Sequence, residues 1–241
     1  MVLPREDGTF VTVDCNGCGP KRAARKRGGV ERVTPRAYDA SRRQDAARRR
    51  RADVLAACRE LLASEGYRAT TVRAVAERAG VSPETIYKGF GGKTGLVKAL
   101  WDVTLAGDDE PVPMGRRPVL QEVWRTRDAR EKVRLYAAFV RGVHERLAAL
   151  FSQLAQAGPE VARVLELGEE ERLIGVTAFV RHLADGGDLR RDAEVARAAD
   201  ACWALTGPRL FHQLTEGRGW SADAYQEWLA DLLLAALVEP R

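Results

Sequence analysis

Apolar side chains recur at helical spacing over most of the chain. Between residues 48 and 64 they stand three or four positions apart, as one face of a helix requires, at Val54, Leu55, Cys58, Leu61 and Leu62. Gly66 is placed to end that helix. Three shorter helices are predicted at 71–79, 82–90 and 93–106. Because the remainder carries no strand signal either, we predict an all-α protein.

Longer helices follow a polar, proline-rich connection at 108–113. They are predicted at 128–157, at 159–184, at 192–215 with a break at Gly207 and Pro208, and at 221–238 behind the N-capping Ser221. The pattern divides the chain into a flexible basic extension at 1–40, a small helical domain at 41–107 and a larger helical domain at 108–241.

Positive charge is concentrated near the N-terminus. Residues 1–51 hold 14 Lys/Arg against 6 Asp/Glu, whereas residues 52–241 hold 25 against 28. Much of the excess lies in the basic cluster at 21–27. Such an arm suits a polyanion, either nucleic acid or an anionic membrane, and it also suits a solvated tail that binds nothing.

The chain shows no sign of membrane insertion, metal binding or catalysis. Its longest strongly apolar run, 232–238, is far shorter than the roughly 18 residues a spanning helix needs, so we expect a cytoplasmic protein with no membrane partner. Cys58 and Cys202 lie in apolar helical contexts and are expected to be buried. Cys15 and Cys18 form one CxxC, which is half a zinc site. We predict no metal, cofactor or catalytic residue; an enzyme built on these two thiols is the alternative.

Residues 71–90 have the pattern of a helix-turn-helix. The first helix offers a small apolar face, Gly80 suits the left-handed turn, and Ser82 and Pro83 suit the start of the second helix. Ile86 is expected to face inward. The outward side chains of the second helix can then enter the major groove, while Thr71, Lys93 and the arginines at 48–51 contact phosphate. The predicted DNA-binding residues are Arg48, Arg49, Thr71, Ser82, Pro83, Glu84, Thr85, Tyr87, Lys88 and Lys93.

Two other interpretations of this segment remain. The two helices can be a packed pair that binds no DNA, since helix-turn-helix patterns also arise by chance. Alternatively, the protein binds nucleic acid without sequence preference through residues 21–27.

The stretch GYRATTVRAVAERAGVSPETIYKGFGGKTGLVKAL, residues 66–100, resembles the N-terminal domain of the TetR family of bacterial repressors. The resemblance implies a homodimeric transcriptional repressor that a small-molecule ligand releases from double-stranded operator DNA. It also implies phosphate contacts from Thr71, Ser82, Tyr87 and Lys93. Glu84 and Gly89 depart from the family pattern, because a small residue and a larger one are common at these positions.

By the same resemblance, the C-terminal domain holds the ligand pocket and the dimer interface. Candidate pocket residues are Trp101, Trp124, Phe139, Phe151, Phe179, His182 and Trp203, each of which could equally be core. Candidate interface residues are Phe211, Leu214, Trp228, Leu229, Leu232 and Leu233. They are expected to pair across a two-fold axis as a four-helix bundle, with closure of the protomer's own core as the alternative.

Overall fold

The computed structural model describes residues 2–4, 10–12, 35–155 and 157–239. Two short strands, β1 (Val2–Pro4) and β2 (Phe10–Thr12), pair antiparallel with Val2 opposite Thr12. These strands and the first residues of the following helix, up to Arg42, form one compact unit, and the chain from Arg43 onward forms a second. The basic cluster at 21–27 and the pair Cys15 and Cys18 lie outside the described residues.

The described chain is otherwise helical, as the sequence predicted. The helices are α1 (Pro35–Ala69), α2 (Val72–Arg78), α3 (Pro83–Phe90), α4 (Lys93–Ala106), α5 (Pro118–Arg125), α6 (Ala129–Ala155), α7 (Ala162–Asp185), α8 (Val195–Leu205), α9 (Pro208–Arg218) and α10 (Ala222–Leu237). Short 3-10 turns occupy Met114–Arg116 and Pro159–Val161. Helix α1 begins about six residues before the expected start near residue 41, and α5 was not predicted.

A glycine sets the end of α1 apart from the rest of the helix. Gly66 has φ 77° and ψ 174°, a backbone region that is essentially reserved for glycine. Its carbonyl oxygen accepts hydrogen bonds from the Thr70 N–H at 3.2 Å and from Thr70 Oγ1 at 2.8 Å. The turn after Gly66 therefore points in a new direction and brings Tyr67 into the core, where it is buried.

Two apolar cores lie within the unit that begins at Arg43. The first combines α1, α2, α3 and α4 with the end of α6 and the start of α7, and it includes both Leu100 of α4 and Leu150 of α6. The second joins α5 and the rest of α6 and α7 to α8, α9 and α10. The division predicted at residue 107 therefore does not separate two cores, because the helices of the N-terminal half share theirs with α6 and α7.

Three of the six predicted interface residues belong to the protomer's own core. Phe211 of α9 is 5% exposed, and Leu229 and Leu233 of α10 are completely buried, because both helices pack on α6. Assigning these three to a dimer surface was wrong. Leu214, Trp228 and Leu232 are only half-buried. A charge at position 233 would therefore destabilise the protomer's own core.

We expect Gly66→Ala to lower the free energy of unfolding by about 1–3 kcal/mol, because alanine is strained at the backbone angles of Gly66. Urea unfolding measures this. Gly217→Ala is the control, because Gly217 lies within α9 and a Cβ there meets nothing within 4 Å. It should be neutral or stabilising by up to about 1 kcal/mol. Equal losses in the two variants would contradict the role given to Gly66.

Candidate nucleic-acid interface and ligand cavity

Helices α2 and α3 are fixed by capping residues that also lie at the surface. Thr71 Oγ1 accepts the Ala74 N–H at 3.1 Å, and Ser82 Oγ accepts the Thr85 N–H at 3.4 Å. Between the helices, Gly80 adopts φ 65°, and Ile86 is completely buried beneath α3. These contacts hold α2 and α3 in the helix-turn-helix geometry that the sequence predicted.

The outer face of α3 carries polar and aromatic side chains. Tyr87 is 59% exposed, and Glu84, Thr85 and Lys88 are exposed as well. The Tyr87 ring packs over the α3–α4 turn, since a Cβ on Gly92 would lie 3.4 Å from Tyr87 Cε1. The ring is thus anchored at its side while much of its surface remains free. The face suits contact with base edges and phosphates.

Glu84 brings negative charge to the first turn of α3. Hydrogen bonds from its own backbone N–H and from the Ser82 hydroxyl keep the pKa of Glu84 below its ordinary value. The side chain is therefore ionised at neutral pH. A carboxylate at this position repels phosphate, but it can accept a hydrogen bond from a cytosine amino group in the major groove.

The arginines of α1 lie against an acidic segment that follows α4. Arg48 Nη2 donates to Glu110 Oε1 at 2.6 Å, and Arg51 Nε lies 3.6 Å from Asp109 Oδ1. The Arg51 guanidinium also lies over the Phe90 ring, 4.9 Å from its centroid. In this structure the charges of Arg48 and Arg51 are thus offset by residues 109 and 110. Arg49, like Arg48, is exposed.

Lys93 is held by the end of α1. Its Nζ donates to the Tyr67 carbonyl oxygen at 2.6 Å and lies 3.7 Å from the centroid of the Tyr67 ring. The ammonium therefore ties the start of α4 to α1. The phosphate contact that the resemblance implies for Lys93 stays a prediction.

A cavity of about 280 Å³ lies among α4, α5, α6 and α7. Aromatic and aliphatic side chains form most of its wall. Trp101, Trp124 and Phe139, which were predicted to line a pocket, do line this cavity, together with Tyr136 and Met114. Pockets of this kind, apolar with a few polar groups, are the usual sites for small molecules.

The other four predicted pocket residues lie behind the wall or elsewhere. Phe179 stacks on Tyr136 at 3.8 Å between centroids, and His182 meets the edge of Trp124. Trp203 lies under the guanidinium of Arg172, and Phe151 packs against the first core beside His212. The spacing of residues along a helix could not distinguish these four positions from the residues that line the cavity, because both groups are mostly apolar and face inward.

The sequence did not predict that the polar residues at the cavity would lie together and pair with one another. Arg172 Nη1 donates to the Trp203 carbonyl oxygen at 2.5 Å and to Thr206 Oγ1 at 3.2 Å, and its Nη2 donates to Glu169. His144 Nδ1 lies 3.4 Å from the Tyr225 hydroxyl. Burial, together with the nearby charge of Arg172, lowers the pKa of His144 to about 3. The imidazole is therefore neutral at physiological pH.

Known proteins resemble the chain at two levels. Residues 54–100 match the family model described as bacterial regulatory proteins of the tetR family. Over 47 residues the chain is 51% identical to the HTH-type transcriptional regulator YvkB of Bacillus subtilis, a match that covers 20% of this chain and 25% of that protein. The chain thus spans about a quarter of the curated relative it matches. Residues 54–100 are thus similar to the DNA-binding domain of the TetR family.

Solved structures extend this likeness over more than three quarters of the chain. A TetR-family transcriptional regulator of Syntrophomonas wolfei superimposes with a TM-score of 0.60 at 15% identity, covering 78% of this chain and 95% of that one. SmeT of Stenotrophomonas maltophilia, solved with triclosan, superimposes with a TM-score of 0.57 at 20% identity, covering 79% of this chain and 92% of that one. At these identities the likeness concerns the fold alone.

The match of residues 54–100 to a family of bacterial regulatory proteins agrees with the prediction that the chain is not an enzyme. Within the described ranges, no three His, Cys, Asp or Glu side chains come together as a metal site. Among those same residues, no helix combines the length and apolar character needed to cross a bilayer.

The double variant Asp109→Asn/Glu110→Gln should bind mixed-sequence duplex DNA more tightly and with a steeper salt dependence. Removing both carboxylates leaves Arg48 and Arg51 without the ion pairs seen here, so each can neutralise a phosphate. Each added phosphate contact makes the slope of log K against log salt more negative by about 0.9.

Fluorescence anisotropy at several salt concentrations measures the slope. The control is Glu122→Gln, an exposed position on α5; identical slopes in both variants would show that these arginines do not reach DNA.

The free energy of unfolding should decrease as the pH is lowered, because His144 is buried in its neutral form. The folded-state pKa, about 3, lies below the ordinary value of 6.5. The contribution of His144 to the free energy of unfolding is thus complete above pH 6.5. It is lost as the pH falls from 6.5 toward 3, at about 1.4 kcal/mol per pH unit. Urea unfolding at pH 7, 6 and 5 should show a steeper loss for the unmodified protein than for His144→Gln. Parallel losses would mean that His144 is not buried in its neutral form.

Proposed function

We propose that the chain is a sequence-specific transcriptional regulator, a homodimeric repressor that a small-molecule ligand releases from operator DNA. One observation carries the proposal. The helix-turn-helix is joined by the two-residue turn Gly91–Gly92 to α4, and α4 contributes Trp101 to the wall of an aromatic cavity.

The DNA-binding surface is the outer face of α3 with the capping residues beside it. The N-terminal turn of α3 enters the major groove, where Glu84, Thr85 and Lys88 meet base edges. Thr71, Ser82 and Tyr87, whose side chains are exposed, contact the phosphates on either side. Arg48 and Arg49 add backbone contacts once Arg48 leaves its acidic partner.

The ligand acts through α4. Leu96, Val97 and Leu100 fix this helix in the first core, and Lys98 Nζ donates to Glu171 of α7 at 2.9 Å. A molecule that fills the cavity presses on Trp101 from one side and on α7 from the other. It releases DNA if it binds better to the arrangement in which α3 no longer fits the groove. SmeT, which shares this fold, is a repressor that has been solved in complex with triclosan, and this supports the proposal.

Two protomers associate through α8 and α10. These helices pack side by side, and Trp228 and Leu232 on α10 remain half-buried in the protomer. On α8, Ala201 and Ala204 are exposed and allow close approach of a second copy. Two pairs around a two-fold axis make a four-helix bundle. The dimer then presents two α3 helices to successive major grooves about 34–36 Å apart.

Selection from a random pool of DNA duplexes tests the proposal. We expect enrichment of a two-fold symmetric site. Tyr87→Ala should weaken binding to that site by about tenfold or more, while the melting temperature stays the same because Tyr87 is exposed. Tyr87→Phe is the matched variant that removes only the hydroxyl, and it should lose less.

Two results would contradict the proposal. One is an absence of sequence enrichment with affinity that depends only on salt, which would favour non-specific binding through residues 21–27. The other is sedimentation as a monomer at micromolar concentration with affinity for the selected site intact.

A further inference from the structure

The size of the cavity limits its ligand. About 280 Å³ lies just below the range of roughly 300–1,000 Å³ that is typical of pockets for drug-sized molecules. Trp101, Trp124, Tyr136 and Phe139 supply flat apolar surfaces around it. The space therefore suits a compact molecule of one or two rings, whose faces pack against these side chains.

The charged side chains in the wall already neutralise one another. The described lining includes three of them: Glu169, Glu171 and Arg172. Arg172 donates to Glu169, and the Glu171 carboxylate accepts from Lys98 Nζ. Arg172 Nη1 is also engaged, by the Trp203 carbonyl oxygen and Thr206 Oγ1. An anionic ligand would have to displace Glu169 from Arg172, and a cationic ligand would have to displace Arg172 or Lys98 from its carboxylate.

The remaining polar atoms of the wall are uncharged. His144 is buried and neutral. The indole Nε1 of Trp101 is buried and has no hydrogen-bond acceptor among the described residues. It lies against Gly168, where a Cβ would come within 3.2 Å of it. An N–H in this state is stabilised by any acceptor that reaches it. One hydroxyl, ether or carbonyl oxygen on the ligand suffices for that.

We infer that the cavity selects an uncharged aromatic molecule, and that Glu169 sets this preference by neutralising Arg172. The inference rests on the proposed ligand-controlled function for its biological meaning. Binding itself is measured without DNA, so the two can fail separately. If the charge preference holds and no probe releases DNA, only the proposed control by ligand is overturned.

Three probes with the same double ring test the charge preference on the intact chain. At pH 7, 2-naphthol is neutral, 2-naphthoate is an anion and 2-naphthylmethylamine is a cation. Calorimetry and quenching of tryptophan fluorescence report binding, since Trp101 and Trp124 line the cavity. We expect 2-naphthol to bind at least about tenfold more tightly than either charged probe, a difference of about 1.4 kcal/mol.

Glu169→Gln tests which residue is responsible. The variant keeps the shape of the side chain and leaves the charge of Arg172 uncompensated within the cavity. Its affinity for 2-naphthoate should rise about tenfold while that for 2-naphthol changes little. The matched control is Glu170→Gln, the neighbouring position on α7, where the carboxylate pairs with Arg163 outside the cavity wall. Thermal unfolding of both variants confirms that each remains folded.

Three outcomes would overturn the inference. The first is tighter binding of either charged probe to the unmodified protein. The second is the same change in naphthoate affinity for Glu169→Gln and Glu170→Gln. The third is an absence of saturable binding by all three probes.

Discussion

Burial of α4 against the helices on either side of it is the constraint on which the rest of the structure depends. Leu96, Val97 and Leu100 pack in a core that also takes Leu150 and Leu154 of α6. A helix that fills a close-packed interior in this way cannot move alone, since each shift opens a gap or forces an overlap. Helices α2 and α3, which would contact DNA, are thus not an independent domain joined by a flexible linker. Their orientation is fixed by the same packing that forms one wall of the cavity.

Charge compensation acts at both candidate sites, with different consequences. The ion pairs of Arg48 and Arg51 with residues 109 and 110 are exposed, so water and salt weaken them and phosphate can replace the carboxylates. The pair of Arg172 and Glu169 lies at a partly buried wall, where Arg172 has further partners in Trp203 and Thr206. Phosphate can therefore replace the carboxylate partners of Arg48 and Arg51 at little cost, whereas replacing Glu169 as the partner of Arg172 is costly. The same chemistry therefore suits a changeable contact at the DNA side and a fixed selectivity at the cavity.

Local rules made most of the helices predictable. Ser82 and Ser221 cap helices where the sequence placed caps, and Gly66 and Gly80 adopt the positive φ that their positions indicated. Helix α5 escaped prediction although it is as long as α3, because α2 and α3 were recognised by the helix-turn-helix motif and α5 belongs to no such motif. The misassigned interface residues had a different cause. Leu229 and Leu233 belong to an apolar face whose partner could be α6 or a second protomer, and a sequence pattern gives the face without naming the partner.

The cavity was only partly predictable for a similar reason. Aromatic residues in helices indicate an interior, but whether a ring lines a space or fills one depends on neighbours from other helices. Tyr136 and Phe179 stack in parallel, yet only Tyr136 lines the cavity. The neutralised charge of Arg172 depends on Glu169 one turn before it and on the carbonyl of Trp203 on α8. The first of these is a helical spacing that could have been recognised; the second requires the fold.

The turn between α3 and α4 explains how packing at the cavity can reach the DNA face. Gly91 and Gly92 have φ of 74° and 109°, so the chain reverses within two residues and leaves little slack between the helices. The Tyr87 ring packs on Gly92, and Lys93 ties the start of α4 to the Tyr67 carbonyl. A tilt of α4 must then carry α3 and Tyr87 with it. To reduce the occupancy of a DNA site from 99% to 1%, a ligand must bind the tilted arrangement of α4 about 10⁴-fold more tightly than the untilted one. One hydrogen bond to Trp101 is far too little for that, so most of the preference must come from apolar contacts that the rings of the cavity make in one arrangement and lose in the other.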